Sequence, residues 1–266
     1  MVVYQCQDNL ESIFTAIYNT YADHCSPEDT RIALQEEILL FSENRTVEMD
    51  PVKAFKVSKT LKERFGEENY YDICMALTSY HPEKADAVYH TIALGLREKP
   101  PRGHLLDNLA NDHVNLVFKL ARNASREHHH YLGFVRFEEK ENGVLYARIS
   151  PKCNIIMFLM PHFADRLPAE NFVIYDENHG KFGVHPAREE WYLVSADESE
   201  TLLQMGDTDE EKGYQDLFRY FCERITIESR RNPALQRNML PIRFRGNMTE
   251  FQRESVCGLP TEKGVR

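Results

Sequence analysis

The chain has 266 residues, 42% of them hydrophobic, and a formal net charge of −10. This length is enough for one large domain or two small ones. No apolar run approaches the roughly 20 residues that a membrane-spanning helix requires. The first residues, MVVYQCQDNLE, lack the basic start and apolar stretch of a secretory signal, so the sequence predicts a cytoplasmic protein.

The six cysteines are scattered singly along the chain. No CxxC pair occurs, and no spacing matches a zinc or iron–sulfur site. We therefore expect reduced, mostly buried thiols, with no metal and no cofactor. The CxxxCxxC motif of radical SAM enzymes is also missing, which excludes that chemistry for this chain alone. The cysteines are Cys6, Cys25, Cys74, Cys153, Cys222 and Cys257.

The charge is distributed unevenly. Residues 195–211 contain seven acidic side chains and no basic one, whereas residues 219–253 contain eight arginines. The net negative charge argues against a surface that coats nucleic acid as a whole, because such binding needs lysine and arginine to neutralise phosphates. The arginine-rich segment is therefore either a local anion-binding face or an ordinary solvated surface.

The first 110 residues predict a mainly helical lobe. VVYQC and RTVEMD are typical of short strands, and apolar spacing predicts a helix after Asp8, which acts as its N-cap. Asp50 and Pro51 open a second helix that stops near Gly66. Two further helices are predicted over residues 70–79 and 83–96.

Residues 111–266 predict a sheet packed with helices, although one continuous domain is also compatible with the sequence. Asp112 caps a helix that ends near Gly133. Four or five strands follow, in the order strand, strand, helix, strand, strand, and the helix covers residues 154–167 with Pro161 inside it. This order predicts an antiparallel ββαββ unit of an α+β fold. The apolar stripe of Tyr214, Leu217, Phe218, Phe221, Cys222 and Ile225 predicts a C-terminal amphipathic helix.

Asn142 and Gly143 form a strong hairpin signal between the first two strands. A three-residue loop with Gly143 in the left-handed region keeps the apolar side chains on one face. In this register Arg136 lies opposite Arg148 on the other face. Two adjacent guanidinium groups repel each other, so the pair is a candidate anion contact. The alternative is that Glu138 or a carboxylate from elsewhere neutralises the two arginines.

Several stretches resemble the radical SAM-linked family of DNA metabolism proteins, and the resemblance covers nearly the whole chain. They are REHHHYLGFVRF, PHFADRL, FVIYDENHG, YQDLFRYF, NPALQ and LPIRF. Members are typically encoded beside a radical SAM protein, and a related domain is fused in some bacteria to a uracil-DNA glycosylase-like domain. The resemblance implies a role in DNA repair or modification with a radical SAM partner. This chain departs from the family pattern in having His130 and His179 where arginines are usual.

Two sets of side chains are candidates for function. Glu127, His129, His162 and Asp176 could carry acid–base chemistry, and His129, His162 and His179 with a carboxylate could instead bind a divalent metal. Histidines at helix ends, however, more often bond to nearby carbonyls or carboxylates. The candidates for nucleic-acid binding are Arg136, Arg148, Arg166, Arg219, Arg230, Arg231 and Arg237.

The leading hypothesis is an accessory protein of DNA repair that binds DNA or its radical SAM partner and is not catalytic on its own. The alternative is a nucleic-acid-processing enzyme with a His/Asp/Arg site. No glycine-rich phosphate loop, GxSxG elbow or HExxH motif occurs in the sequence.

Overall fold

The computed structural model describes residues 1–34, 42–195, 208–225 and 232–251. The chain forms two compact units, Met1–His130 with Pro151–Ile155, and Tyr131–Ser150 with Ile156–Arg266. We call them the first and the second unit. The sequence-based boundary after residue 110 lies earlier in the chain, inside the first unit. Helices and strands both contribute substantially, which confirms the α+β class.

The first unit contains a three-stranded parallel sheet in addition to its helices. Strand β1 (Val2–Cys6) lies between β2 (Thr30–Leu34) and β3 (Glu43–Thr46). The predicted strand VVYQC is confirmed as β1. The predicted strand RTVEMD overlaps β3 only at Arg45 and Thr46, and β2 was missed. Its burial does not alternate, because a strand whose apolar side chains are buried on both faces gives no period-two signal.

The described part of the first unit has four α-helices. They are α1 (Leu10–Ala22), α2 (Pro51–Leu77), α3 (Lys84–Glu98) and α4 (Asp112–Phe134), and the last four residues of α4 belong to the second unit. The predicted stop at Gly66 appears as a kink, because Gly66 leaves the helical region at φ +90° and the helix then resumes. Only glycine adopts such a φ readily.

The predicted helix caps are partly wrong. Asp50 caps α2 as predicted, and its Oδ1 accepts hydrogen bonds from the backbone of Val52 and Lys53. At α1 the cap is Asn9 and not Asp8, since the Asp8 carboxylate pairs with the buried Lys84 ammonium. At α4, Asn111 Oδ1 accepts from the backbone of His113 and Val114, and Asp112 is the first helical residue.

The second unit contains a five-stranded sheet in the order β4-β5-β6-β7-β8. The strands are β4 (Glu138–Glu139), β5 (Leu145–Ile149), β6 (Phe172–Asp176), β7 (Lys181–His185) and β8 (Tyr192–Ser195). The predicted order of elements is confirmed, but the sheet is not wholly antiparallel. Strands β5 and β6 pair in parallel, because helix α5 (Ile156–Arg166) forms a crossover that returns the chain to the same end of the sheet.

Helix α5 buries the predicted side chains Ile156, Leu159, Met160 and Phe163. Packing against β7 is close at Gly183, where an added Cβ would lie 2.3 Å from the Met160 sulfur. A side chain at this position would therefore force Met160 to move. Within the four described stretches, no helix is both long enough and apolar enough to cross a membrane.

The remaining described elements of the second unit are α6 (Asp209–Ile225), α7 (Pro233–Met239) and two short 3-10 segments, Ile242–Asn247 and Thr249–Phe251. Four members of the predicted apolar stripe of α6 are exposed to solvent. The exposed side chains are Tyr214, Leu217, Phe218 and Phe221 of the predicted stripe together with Tyr220, and we call these five the α6 surface.

The five cysteines that the structure describes form no disulfide with one another, and three of them, Cys6, Cys74 and Cys153, are buried. Burial raises the pKa of Cys6 to about 12 and that of Cys74 to about 11. Both thiols therefore stay protonated and unreactive at neutral pH. Cys257 lies outside the described residues.

Candidate functional site

The hairpin around Gly143 forms as predicted, but it does not place Arg136 opposite Arg148. Gly143 has φ +74°, and its N–H donates to the Lys140 carbonyl across the three-residue loop. The ladder joins only Glu138 to Tyr146 and Glu139 to Leu145. Helix α4 continues to Phe134, so the segment that carries Arg136 is a connection and not a strand.

Arg136 instead lines a cleft of about 500 Å³ in the second unit. The cleft lies among the end of α4, the start of β5 and the end of α5, and Arg166 lines it as well. Phe137 and Phe163 contribute its aromatic wall, with ring centroids 5.3 Å apart in an edge-on arrangement. Two of the predicted anion-binding arginines, from separate motifs of the sequence, therefore line one cleft.

The Arg136 guanidinium is already held by protein groups. Its Nη1 donates to the carbonyls of Gly133 and Val135, at 3.0 and 3.2 Å, and its Nη2 lies 2.9 Å from Glu250 Oε1. The alternative in which a carboxylate from elsewhere neutralises this arginine is therefore the one observed. The other Glu250 oxygen, Oε2, is buried and has no hydrogen-bond partner among the described residues.

Arg166 differs from Arg136. It lies in the last turn of α5 and is exposed. It forms no ion pair with any residue that the structure describes. Its charge is therefore available to a ligand in the cleft.

Arg148 lies on the other side of the sheet. Leu145 faces the cleft and side chains alternate along β5, so Tyr146 and Arg148 point away from it. Arg148 is exposed, and its parallel neighbour on β6 is Tyr175. The prediction that Arg136 and Arg148 share one face is therefore wrong.

The remaining arginine candidates lie toward the C-terminus. Arg219 on α6 is 2.6 Å from Asp216 and donates through Nε to the Thr249 carbonyl, which ties α6 to the segment that carries Glu250. Arg237 on α7 is exposed. Arg230 and Arg231 lie outside the described residues.

A second polar group lies at the carboxyl ends of β5 and β6. Asp176 ends β6 and is fully buried. One carboxylate oxygen is 2.7 Å from His179 Nδ1, and the other accepts from the His179 backbone N–H. This contact fixes the orientation of an imidazole ring that is partly exposed.

The parallel pairing of β5 and β6 brings further polar side chains to the same edge. Ser150 Oγ donates to Glu177 Oε2 at 3.0 Å and accepts from Asn247 Nδ2 at 3.0 Å. Sequence reasoning missed Ser150, Glu177 and Asn247. The first two could have been found from a parallel arrangement, because polar residues that follow neighbouring parallel strands meet at one edge.

The four acid–base candidates are divided between the two units. Glu127 and His129 belong to the first unit, and His162 and Asp176 to the second. His129 and His162 are exposed. Among the described side chains, no three of the types His, Cys, Asp and Glu are grouped so that they could hold a metal ion. The structure therefore does not assemble His129, His162 and His179 into a metal site.

Glu127 has a structural contact. It is buried, and its Oε2 accepts a hydrogen bond of 2.8 Å from the Cys153 backbone N–H. Replacing Glu127 with Ala is expected to lower the free energy of unfolding by about 1 to 3 kcal/mol, because a buried N–H loses its acceptor. Urea denaturation measures this loss of stability. Glu127→Gln should lose less stability than Glu127→Ala, because the amide oxygen can still accept the hydrogen bond. An unchanged urea midpoint in the Ala variant would contradict this role.

The family model of a domain of unknown function, DUF4130, matches residues 82–250. The match covers more than half of the 266 residues, so the chain belongs to this family. The matched region includes the cleft with Arg136 and Arg166, and also the Asp176–His179 pair. No curated protein matches the chain.

Proposed function

We propose that this member of the DUF4130 family is an accessory protein of DNA repair or modification. In this proposal it works with a radical SAM partner and binds single-stranded DNA in the cleft of the second unit. The observation that carries the proposal is the placement of Arg136 and Arg166 in one aromatic-walled cleft. The DNA and radical SAM roles come from the resemblance in sequence.

The side chains of the cleft suit a nucleotide. Guanidinium groups bind phosphate with paired hydrogen bonds, and Phe137, which is half-buried in the wall, offers a ring on which an unpaired base can stack. A volume of about 500 Å³ falls within the usual range of small-ligand sites. Bases are accessible to such a cleft in a single strand and not inside a duplex.

The overall charge of −10 limits the affinity. Acidic surfaces around a local positive site repel the rest of the DNA backbone. We therefore expect weak binding that decreases steeply with salt, since few phosphates are neutralised and each contributes less than one unit to the salt slope.

The α6 surface fits the second part of the proposal. Aromatic side chains that lie in the open along one helix are typical of a surface that a protein partner covers. A radical SAM partner would supply the iron–sulfur chemistry for which this sequence has no CxxxCxxC motif. The same aromatic side chains could also stack bases, so the binding experiment has to separate the two ligands.

The experiment combines two measurements on the intact chain. Fluorescence anisotropy with labelled single- and double-stranded oligonucleotides, between about 50 and 200 mM salt, should show a preference for the single strand. Co-purification with a radical SAM protein of the kind encoded beside members of the resembled family should give a stable complex. Binding of the partner without any DNA affinity at low salt would contradict DNA binding and retain the accessory role.

The Asp176–His179 pair favours a second candidate, an enzyme that acts on nucleic acid. A buried carboxylate that orients an imidazole is an arrangement used by general bases. Incubation of the protein with labelled oligonucleotides should then give strand cleavage or base release that His179→Ala abolishes. If the protein forms no product from intact DNA and none from DNA that contains uracil, this result contradicts the enzyme candidate.

A further inference from the structure

The first unit contains another cleft, of about 370 Å³, formed by α1, α2 and α3. Most of its lining comes from α1 and α2, which precede the residues matched by the family model. Its walls are mainly apolar and include Ile17, Leu61, Ile92 and Leu96. A cleft of this size and lining is at the small end of the range for sites that bind small molecules.

Positive charge lies at the rim of this cleft. The ammonium groups of Lys53 and Lys56 lie 5.7 and 5.5 Å from the centre of the Tyr18 ring, and Tyr18 and Lys56 both line the cleft. Each ammonium group is attracted by the electron-rich ring face. Both leave a net positive charge near Tyr18, which favours a negative group of a ligand at this end of the cleft.

Among the carboxylates that the structure describes, none forms an ion pair with Lys53 or Lys56. Lys53 donates to Asn19 Oδ1 at 2.9 Å, and Asp23, whose pKa the Lys53 charge helps to lower, is itself 2.8 Å from the Arg45 guanidinium. Lys56 is exposed and has no ion pair within the described part of the chain. The ammonium of Lys56 is therefore available to a ligand.

We propose that this cleft binds a small organic anion with an apolar body and one charged group, such as a carboxylate. The apolar body lies against Ile17, Leu61, Ile92 and Leu96, and the charged group contacts Lys56. Tyr21 also lines the cleft, and burial raises its pKa to about 12. Its hydroxyl therefore stays protonated at neutral pH and can donate a hydrogen bond to the anion.

A protein partner is the other occupant that an apolar cleft suggests. The ammonium group of Lys56 at the rim favours the anion, because a side chain of a partner that fills an apolar cleft needs no countercharge there. The proposal is independent of DNA binding, which concerns the second unit.

The test is a fluorescence titration of the intact chain with anilinonaphthalene sulfonate, an aromatic anion, and competition by decanoate. We expect one saturable site from which decanoate displaces the dye. Lys56→Gln should weaken dye binding by about tenfold, because it removes one charge-assisted contact. The matched control is Lys59→Gln, since Lys59 is an exposed lysine of α2 that pairs with Glu63 and does not line the cleft.

Two further measurements locate the site. Ala22 is exposed and lines the cleft, so Ala22→Trp should block it without disturbing the core and should abolish dye binding. Phenylnaphthylamine, an uncharged dye of similar shape, should bind equally to the wild-type chain and to Lys56→Gln. Equal effects of the two lysine variants, or dye binding that survives Ala22→Trp, would overturn the proposal. So would failure of decanoate to compete, which would instead indicate an apolar surface for a protein partner.

Discussion

Replacing both Arg136 and Arg166 with Gln is expected to weaken binding of single-stranded DNA by about 100-fold at low salt. Each arginine would lose a charge-assisted contact worth roughly 1.5 to 3 kcal/mol, but at Arg136 the cost of displacing Glu250 has to be subtracted. The pair would then contribute about 2.8 kcal/mol, and about 1.4 kcal/mol corresponds to a tenfold change in affinity. The slope of log affinity against log salt should also decrease by roughly 1.4, because two phosphate contacts to a single strand are lost. Fluorescence anisotropy over a salt series measures both effects.

The matched control is Arg148→Gln, which removes the same charge from an exposed strand position on the other side of the sheet. Its effect should be small, as is usual for an exposed charge outside the contact. Thermal unfolding of all variants is needed, because Arg136 also pairs with Glu250. If a folded double variant binds DNA like the wild-type chain, the cleft is not the DNA site. Replacing Arg230 and Arg231 with Ala would then test the arginine-rich segment.

Replacing Asp176 with Ala is expected to lower the free energy of unfolding by roughly 3 kcal/mol. The buried carboxylate accepts two hydrogen bonds from His179, and bonds to a charged group are worth more than those between neutral groups. Urea denaturation measures the loss. Asp176→Asn retains one acceptor and should cost less.

The same pair of variants separates a structural from a catalytic role for Asp176. A nucleic-acid-processing activity that Asp176→Asn abolishes, while most of the stability is retained, would support the enzyme candidate. A wild-type urea midpoint for Asp176→Ala would show that the Asp176–His179 contact does not stabilise the second unit.

Local patterns predicted most helices and strands of this fold. The buried stripe of α5 was predicted side chain by side chain, because helical spacing depends only on neighbours within two turns. The N-cap residues of α1 and α4 were predicted wrongly, since the residue that caps a helix depends on which polar side chain has no other partner. Asp8 was unavailable because it pairs with Lys84, a residue far along the chain.

The direction of β6 could not be predicted from the strands themselves. Local patterns predict the order of the elements along the chain. Whether two strands pair in parallel or antiparallel depends instead on the end of the sheet to which the chain returns after α5. The hairpin register was correct over Glu138 and Glu139. The error at Arg136 arose because α4 continues through Gly133 to Phe134, so the ladder does not extend back to Arg136.

The candidate site shows the same division between local and distant contacts. His179 follows Asp176 by three residues, so their proximity was already implied by the turn. Asn247, by contrast, reaches Ser150 from a separation of 97 residues, and Glu250 reaches Arg136 from 114. Contacts at such separations carry no periodic signal in a single sequence.

The Arg136–Glu250 pair makes ligand binding in the cleft of the second unit an exchange of partners. A phosphate that takes the Arg136 Nη2 contact has to displace a carboxylate that is already there. The binding free energy is therefore the difference between two ion pairs and not the gain of one. Because Glu250 Oε2 has no donor among the described residues, the displaced carboxylate recovers hydrogen bonds to water. If the Thr249–Phe251 segment moves away from the cleft, the new hydrogen bonds between water and the Glu250 carboxylate offset part of the energy needed to break the Arg136–Glu250 ion pair.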